Sequence, residues 1–139
     1  MAAIHHNVIV ADDEPAMRRL LRTVLSSQGY GITEAVDGSA ALQAVLAQEI
    51  ADLLVLDLGL PDVDGLQIIK HFRTAGANLP IIILSHRSDD TSKVMALDLG
   101  ADDYVRSRSA RASFWLGYEL LFATGCMLLA QGRSSSAQN

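Results

Sequence analysis

Leu53-Leu54-Val55-Leu56-Asp57 is four apolar residues in a row, closed by an acid. A strand with one wet face alternates apolar and polar residues, so an unbroken apolar run of this length predicts a strand buried on both faces. The same pattern recurs on either side of it. Upstream, Asn7 to Ala11 is a short apolar run followed by Asp12 and Asp13. Downstream, Pro80 to Leu84 is apolar and ends at Ser85. Tyr30 to Ala35 alternates like a strand, and Tyr104-Val105 makes a short fifth one.

Helical spacing fills the intervals. Pro15 sits where a helix begins, Met17, Leu20, Leu21, Val24 and Leu25 follow on one face, and Gly29 stops it. Asp37-Gly38-Ser39 turns into a helix with Leu42, Val45 and Leu46 on one side. Leu66, Ile69 and Phe72 mark a third helix before Gly76, and a fourth carries Val94, Met95 and Leu97 up to Gly100. Five buried strands alternating with four helices predict an α/β fold with a doubly wound, five-stranded parallel sheet. In such sheets a site forms at the carboxyl ends of the strands, where the strand order reverses. That rule singles out Asp12 and Asp13 after the first strand, Asp57 after the third and Ser85 after the fourth.

The bulk composition narrows the function classes. One domain fits 139 residues, half of them apolar. A net charge of −5 lacks the basic excess of a duplex-DNA reader, so no direct nucleic-acid binding is expected. Cys126 is the single cysteine, which excludes an intrachain disulfide and cysteine-rich zinc clusters and suits a reducing cytoplasm. Met1 to Asn7 has neither a basic nor an apolar region of a signal peptide, and its His5-His6 pair reads as solvated tail.

Three acids brought to neighbouring strand ends repel one another, which raises their pKa values or recruits a counter-ion. Hard carboxylate oxygens with room for water suit Mg²⁺, and Mg²⁺ placed there neutralises charge building on a transferring phosphoryl group. A single Asp after a strand is usually only a turn or a helix cap. The convergence of Asp12, Asp13 and Asp57 with the Ser85 hydroxyl is what favours chemistry.

The stretches Val8 to Pro15, Leu56 to Gly65, Ile83 to Ser85 and Gly100 to Tyr104 together resemble the signature segments of bacterial two-component response-regulator receivers, the CheY-like proteins of flavodoxin-like fold. The resemblance covers Asn7 to Val105, and Leu56 to Asp62, Leu84 to Ser88 and Ala96 to Tyr104 resemble the Kdp-type regulators of potassium-transport genes most. The resemblance implies that Asp57 accepts a phosphoryl group from a sensor histidine kinase. It implies Mg²⁺ on Asp13, Asp57 and the Gly59 carbonyl, with Asp12 on a metal-bound water. Ser85 becomes the switch hydroxyl and Tyr104 the switch aromatic. His86 stands where small residues are common in that family. The chain is expected to be a phosphoacceptor, not an enzyme acting on other substrates. An aspartate-nucleophile phosphatase is the alternative, but it wants a second Asp where this chain has Gly59. An inert truncated product is another.

The pattern breaks after Val105. The family expects a Lys-Pro pair just past the last strand, and here Ser107 and Arg108 stand instead. Restoring one base before a permissible coding of Arg106 onward yields T-K-P-F-G-A-G-E-L-L-A-R-V, with the Lys-Pro pair and an amphipathic last helix. The coding sequence is therefore expected to have lost one base at codon 106, leaving a receiver over residues 1–105 and a non-family tail over 106–139. The intact gene is then expected to continue into a DNA-binding domain that this chain lacks. In the tail, Arg106 to Arg111 reads as a basic hinge, Ala112 to Ala130 as an atypical apolar C-terminal helix, and Gly132 to Asn139 as a disordered end. The apolar run has 19 residues, roughly the length of a membrane span, but Glu119 and its glycines make a poor one, and no membrane association is expected. A helix apolar all round is expected to pair with a second copy as a homodimer.

Overall fold

A computed structural model describes residues 6–47, 51–85, 90–106 and residue 125. In chain order the elements are β1 (Asn7–Ala11), α1 (Pro15–Ser26), β2 (Gly31–Ala35), α2 (Gly38–Ala47), β3 (Leu53–Asp57), α3 (Gly65–Thr74), β4 (Ile81–Ser85), α4 (Asp90–Leu99) and β5 (Asp103–Arg106). All strand pairs are parallel and the order is β2-β1-β3-β4-β5. This is the doubly wound order of flavodoxin and CheY, and its reversal point lies between β1 and β3.

The apolar runs do what continuous burial requires. Successive side chains of a strand point to opposite faces. Ile9, Ala11, Leu54, Leu56, Ile81, Ile83 and Tyr104 face the core shared with α2, α3 and α4. Val8, Val10, Leu53, Val55, Ile82, Leu84 and Val105 face the other way, into the core that Met17, Leu21 and Leu25 of α1 enter. Every residue of β3 and β4 is buried. A fully buried Leu or Ile contributes about 1.5–3 kcal/mol relative to exposure, so these strands carry much of the core.

One helix docks otherwise than its periodicity suggests, and a second follows its own in part. On α2 Gly38 and Ala41 are buried and Leu42 and Val45 are half-buried against the same core, while Leu46 is exposed. On α4 the buried contacts are Ser92 and Ala96, and Val94, Met95 and Leu97 are exposed. On α4 the small residues let the helix approach the sheet closely, which leaves Val94, Met95 and Leu97 outward. His6 is half-exposed but held to the sheet: its carbonyl accepts from the Gly31 N–H, its ring meets Tyr30 edge-on, and Nδ1 lies 3.7 Å from Asp52. Strand β5 runs to Arg106, one residue past Val105. The expectations on His5, His86, the Ser107-Arg108 position and the apolar run Ala112 to Ala130 fall outside the described residues. Among the described residues, no helix is long and apolar enough to cross a membrane.

Candidate functional site

The site stands at the carboxyl ends of β1 and β3, where the topology rule places it. Asp57 is the last residue of β3 and is buried. Asp12 directly follows β1 and is also buried, whereas Asp13 is exposed. One carboxylate oxygen from each of Asp12, Asp13 and Asp57 comes within 4.8 Å of the others. Three hard anionic oxygens that close suit a divalent cation with an oxygen-rich coordination sphere, so the donor set fits Mg²⁺.

Local hydrogen bonds fix this end of the sheet. The Asp12 N–H donates to Ala35 O at 3.1 Å, tying the turn after β1 to the end of β2. The Asp12 carboxylate accepts from the Glu14 N–H at 2.9 Å, an Asx turn that leads into Pro15 at the start of α1. Arg18 Nη1 donates to the Asp12 carbonyl at 2.7 Å, and Glu34 on β2 holds the same guanidinium, with Nε 3.5 Å from its carboxylate. Gly59 donates its N–H to Asp57 Oδ1 at 3.0 Å, so the residue whose carbonyl is the expected metal ligand also orients the Asp57 carboxylate.

The electrostatics follow from this crowding. Burial pushes the Asp12 carboxyl up to about 7. The Glu14 N–H opposes that rise, and the charges of Asp57, Asp13 and Glu14 add to it. Burial and like charge thus raise the proton affinity of Asp12, and the same crowding favours a counter-ion there.

The structure thus brings Asp12, Asp13, Asp57 and Gly59 together. Ser85 ends β4, the strand next to β3, and is buried. Tyr104 lies one strand further out, beside Ile83, and its side chain belongs to the core on the α2–α4 side. Sequence reasoning missed Arg18 and Asp62. Arg18 could have been found, since Pro15 at the first helical position places it one turn into α1, where it can reach back to β1. Asp62 could not: its carboxylate reaches the N–H groups of Gly38 and Ser39, more than twenty residues upstream.

Residues 8–113 match the response regulator receiver domain family. The chain belongs to that family. Its relatives include the KDP operon transcriptional regulatory protein KdpE of Escherichia coli, 44% identical over 99 residues, which is 71% of this chain and 43% of KdpE. The chain therefore spans about two-fifths of the length of the curated relatives it matches. Among solved structures, the receiver domain of the Francisella response regulator 1452 superposes with a TM-score of 0.81 at 28% identity, covering 91% of this chain and 98% of that one. TrrA of Thermotoga maritima, solved in complex with Mg²⁺ and BeF, gives a TM-score of 0.74 at 30% identity over 88% of this chain and 99% of its own. The receiver is thus a two-component signalling domain, and receivers of this family are phosphorylated by sensor histidine kinases.

Proposed function

We propose that this receiver takes a phosphoryl group from a histidine kinase onto Asp57, with Mg²⁺ as cofactor. The observation that carries the reading is the convergence of Asp12, Asp13 and Asp57 within 4.8 Å at the switch point of a receiver fold. Asp13, Asp57 and the Gly59 carbonyl would hold the ion, Asp12 a water on it, and bound Mg²⁺ neutralises charge on the transferring phosphoryl oxygens. An Asp57 carboxylate oxygen attacks phosphorus, the P–N bond of the phosphohistidine donor breaks, and its electron pair leaves on the imidazole nitrogen, which takes up a proton. The Gly59 N–H holds Asp57 Oδ1 and so orients the nucleophile. Ser85 then follows the phosphoryl oxygen as the switch hydroxyl, and Tyr104 responds as the switch aromatic.

In this reading the chain catalyses only its own phosphorylation and hydrolysis. Its output is weakened, because Ser107 and Arg108 replace the family's Lys-Pro pair. The missing lysine removes a charge-assisted contact worth roughly 1.5–3 kcal/mol to the phosphorylated state. Exposure to acetyl phosphate with Mg²⁺, followed on a phosphate-affinity gel, is expected to shift the wild type and leave Asp57→Asn unshifted. Divalent titration is expected to perturb amide signals near Asp57, and Asp13→Ala to abolish that response. A wild type that never shifts is an inert product, and a shift persisting in Asp57→Asn moves the acceptor elsewhere.

A further inference from the structure

The loop between β3 and α3 carries Gly59, and what holds that loop is a contact far away in sequence. Asp62, near its end, reaches across to the start of α2. Its Oδ1 accepts from the Gly38 N–H at 2.7 Å and its Oδ2 from the Ser39 N–H at 3.0 Å. The first N–H groups of a helix have no partner within it, and the helix dipole favours an anion there. Usually the chain just before a helix supplies the cap. In α2 the work is divided: Asp37 takes the Ala40 N–H on its side chain and the Ala41 N–H on its carbonyl, while Asp62 takes the two that remain.

The packing around this bridge is tight. A Cβ on Gly38 would come within 2.9 Å of Val63 Cβ and 3.1 Å of Asp62 Oδ1, so only glycine lets the loop approach α2 this closely. At the loop's base, a Cβ on Gly65 would meet Leu58 Cα at 2.7 Å and Asp57 O at 3.0 Å. Gly65 also donates its N–H to Leu58 O. Leu58 and Leu60 are buried between these ends. The segment that offers Gly59 to the site is therefore held at its base by its own helix and at its far end by Asp62.

We infer that Asp62 is a positioning residue for the metal site, tethering the β3–α3 loop to α2 so that the Gly59 carbonyl keeps its place beside Asp57. The inference rests on the proposed Mg²⁺ site. Asp37 supplies the control, because its hydrogen bonds go to Ala40 and Ala41 of the same helix. A role limited to helix capping would make Asp62→Ala and Asp37→Ala alike, with stability lowered in both and metal affinity moved in neither.

The experiment is Mg²⁺ titration of the full chain, read from the amide signals of Leu58 and Gly59. Asp62→Ala is expected to raise the dissociation constant about tenfold, the low end for groups that orient metal ligands. Asp62→Asn, which keeps one acceptor oxygen, is expected to fall between it and the wild type. Asp37→Ala is expected to bind as the wild type does. Unchanged affinity in Asp62→Ala, or an equal loss in Asp37→Ala, overturns the tether. If Asp62→Ala does not fold, Asp62→Asn decides, and wild-type affinity in that variant overturns it equally. A wild type without any Mg²⁺ response overturns the metal site itself, a result distinct from either.

Discussion

At the scale of single residues, Asp12 is the most informative side chain. Burial and neighbouring acids push it up to about 7, so without metal the folded chain holds a proton that the unfolded chain has released. An unperturbed Asp titrates near about 3.9. The stability tied to that proton is complete below about 3.9 and is lost as pH rises through about 7. The metal-free protein in EDTA is therefore expected to lose urea resistance between pH 5 and pH 8, relative to Asp12→Asn at each pH. A divalent ion competes with the same proton, so the Mg²⁺ concentration for half-saturation is expected to rise as pH falls below 7. A wild type and an Asp12→Asn variant with parallel pH profiles would show that Asp12 does not titrate in this range.

At the scale of elements, the end of the sheet opposite the acids is knitted by Arg73. Its Nε donates to Gly100 O at 3.0 Å and its Nη1 to Ala77 O at 2.8 Å. Its Nη2 donates to Asp102 Oδ2 at 3.1 Å, and the same oxygen accepts from the Ile81 N–H at 2.8 Å. One guanidinium thus joins the end of α3, the end of α4 and the start of β4. Gly100 takes φ +117°, and a Cβ there would come within 2.7 Å of the Arg73 side chain. The ion pair with half-exposed Asp102 contributes little, so most of the effect lies in the two carbonyl contacts. Arg73→Ala is expected to lower unfolding free energy by about 2 kcal/mol in urea melts. Arg73→Lys is expected to recover only part, because an ammonium lacks the planar fork that reaches both carbonyls. Phosphorylation of Asp57 is expected to survive both changes, since the contacts lie at the other end of the strands. Full stability in Arg73→Ala would show the hub to be redundant.

At the scale of the whole molecule, the receiver matches about two-fifths of relatives such as KdpE. We propose that the apolar run Ala112 to Ala130 drives self-association. Phe114, Trp115, Leu116, Tyr118, Leu120, Leu121 and Phe122 would surround a helix rather than stripe it. Light-scattering mass is expected to give a dimer for the full chain at tens of micromolar and a monomer for a chain ending at Arg111. Equal dimers from both would place the contact on the receiver body, and a monomeric full chain would end the proposal.

Much of this molecule was legible before any coordinates. The unbroken runs at β1, β3 and β4 specify strands buried on both faces, because a strand with one wet face cannot hide four neighbouring apolar side chains. Strands of that kind need helices on both faces, and the topology rule then places Asp12, Asp13 and Asp57 at one crevice. Periodicity failed where a helix docks through small residues. Ala96 and Ser92 carry α4 onto the sheet while Val94, Met95 and Leu97 stay exposed, because close approach, not side-chain size, decides which face is inside. The tertiary structure alone decided which groups brace the two ends of the sheet. Asp62 bridges to Gly38 and Ser39, and Arg73 reaches Gly100 and Asp102. Each is a polar contact between residues distant in the chain. Such a contact leaves no periodic signal in the sequence, and the packed sheet and helices alone bring its two ends within hydrogen-bond reach.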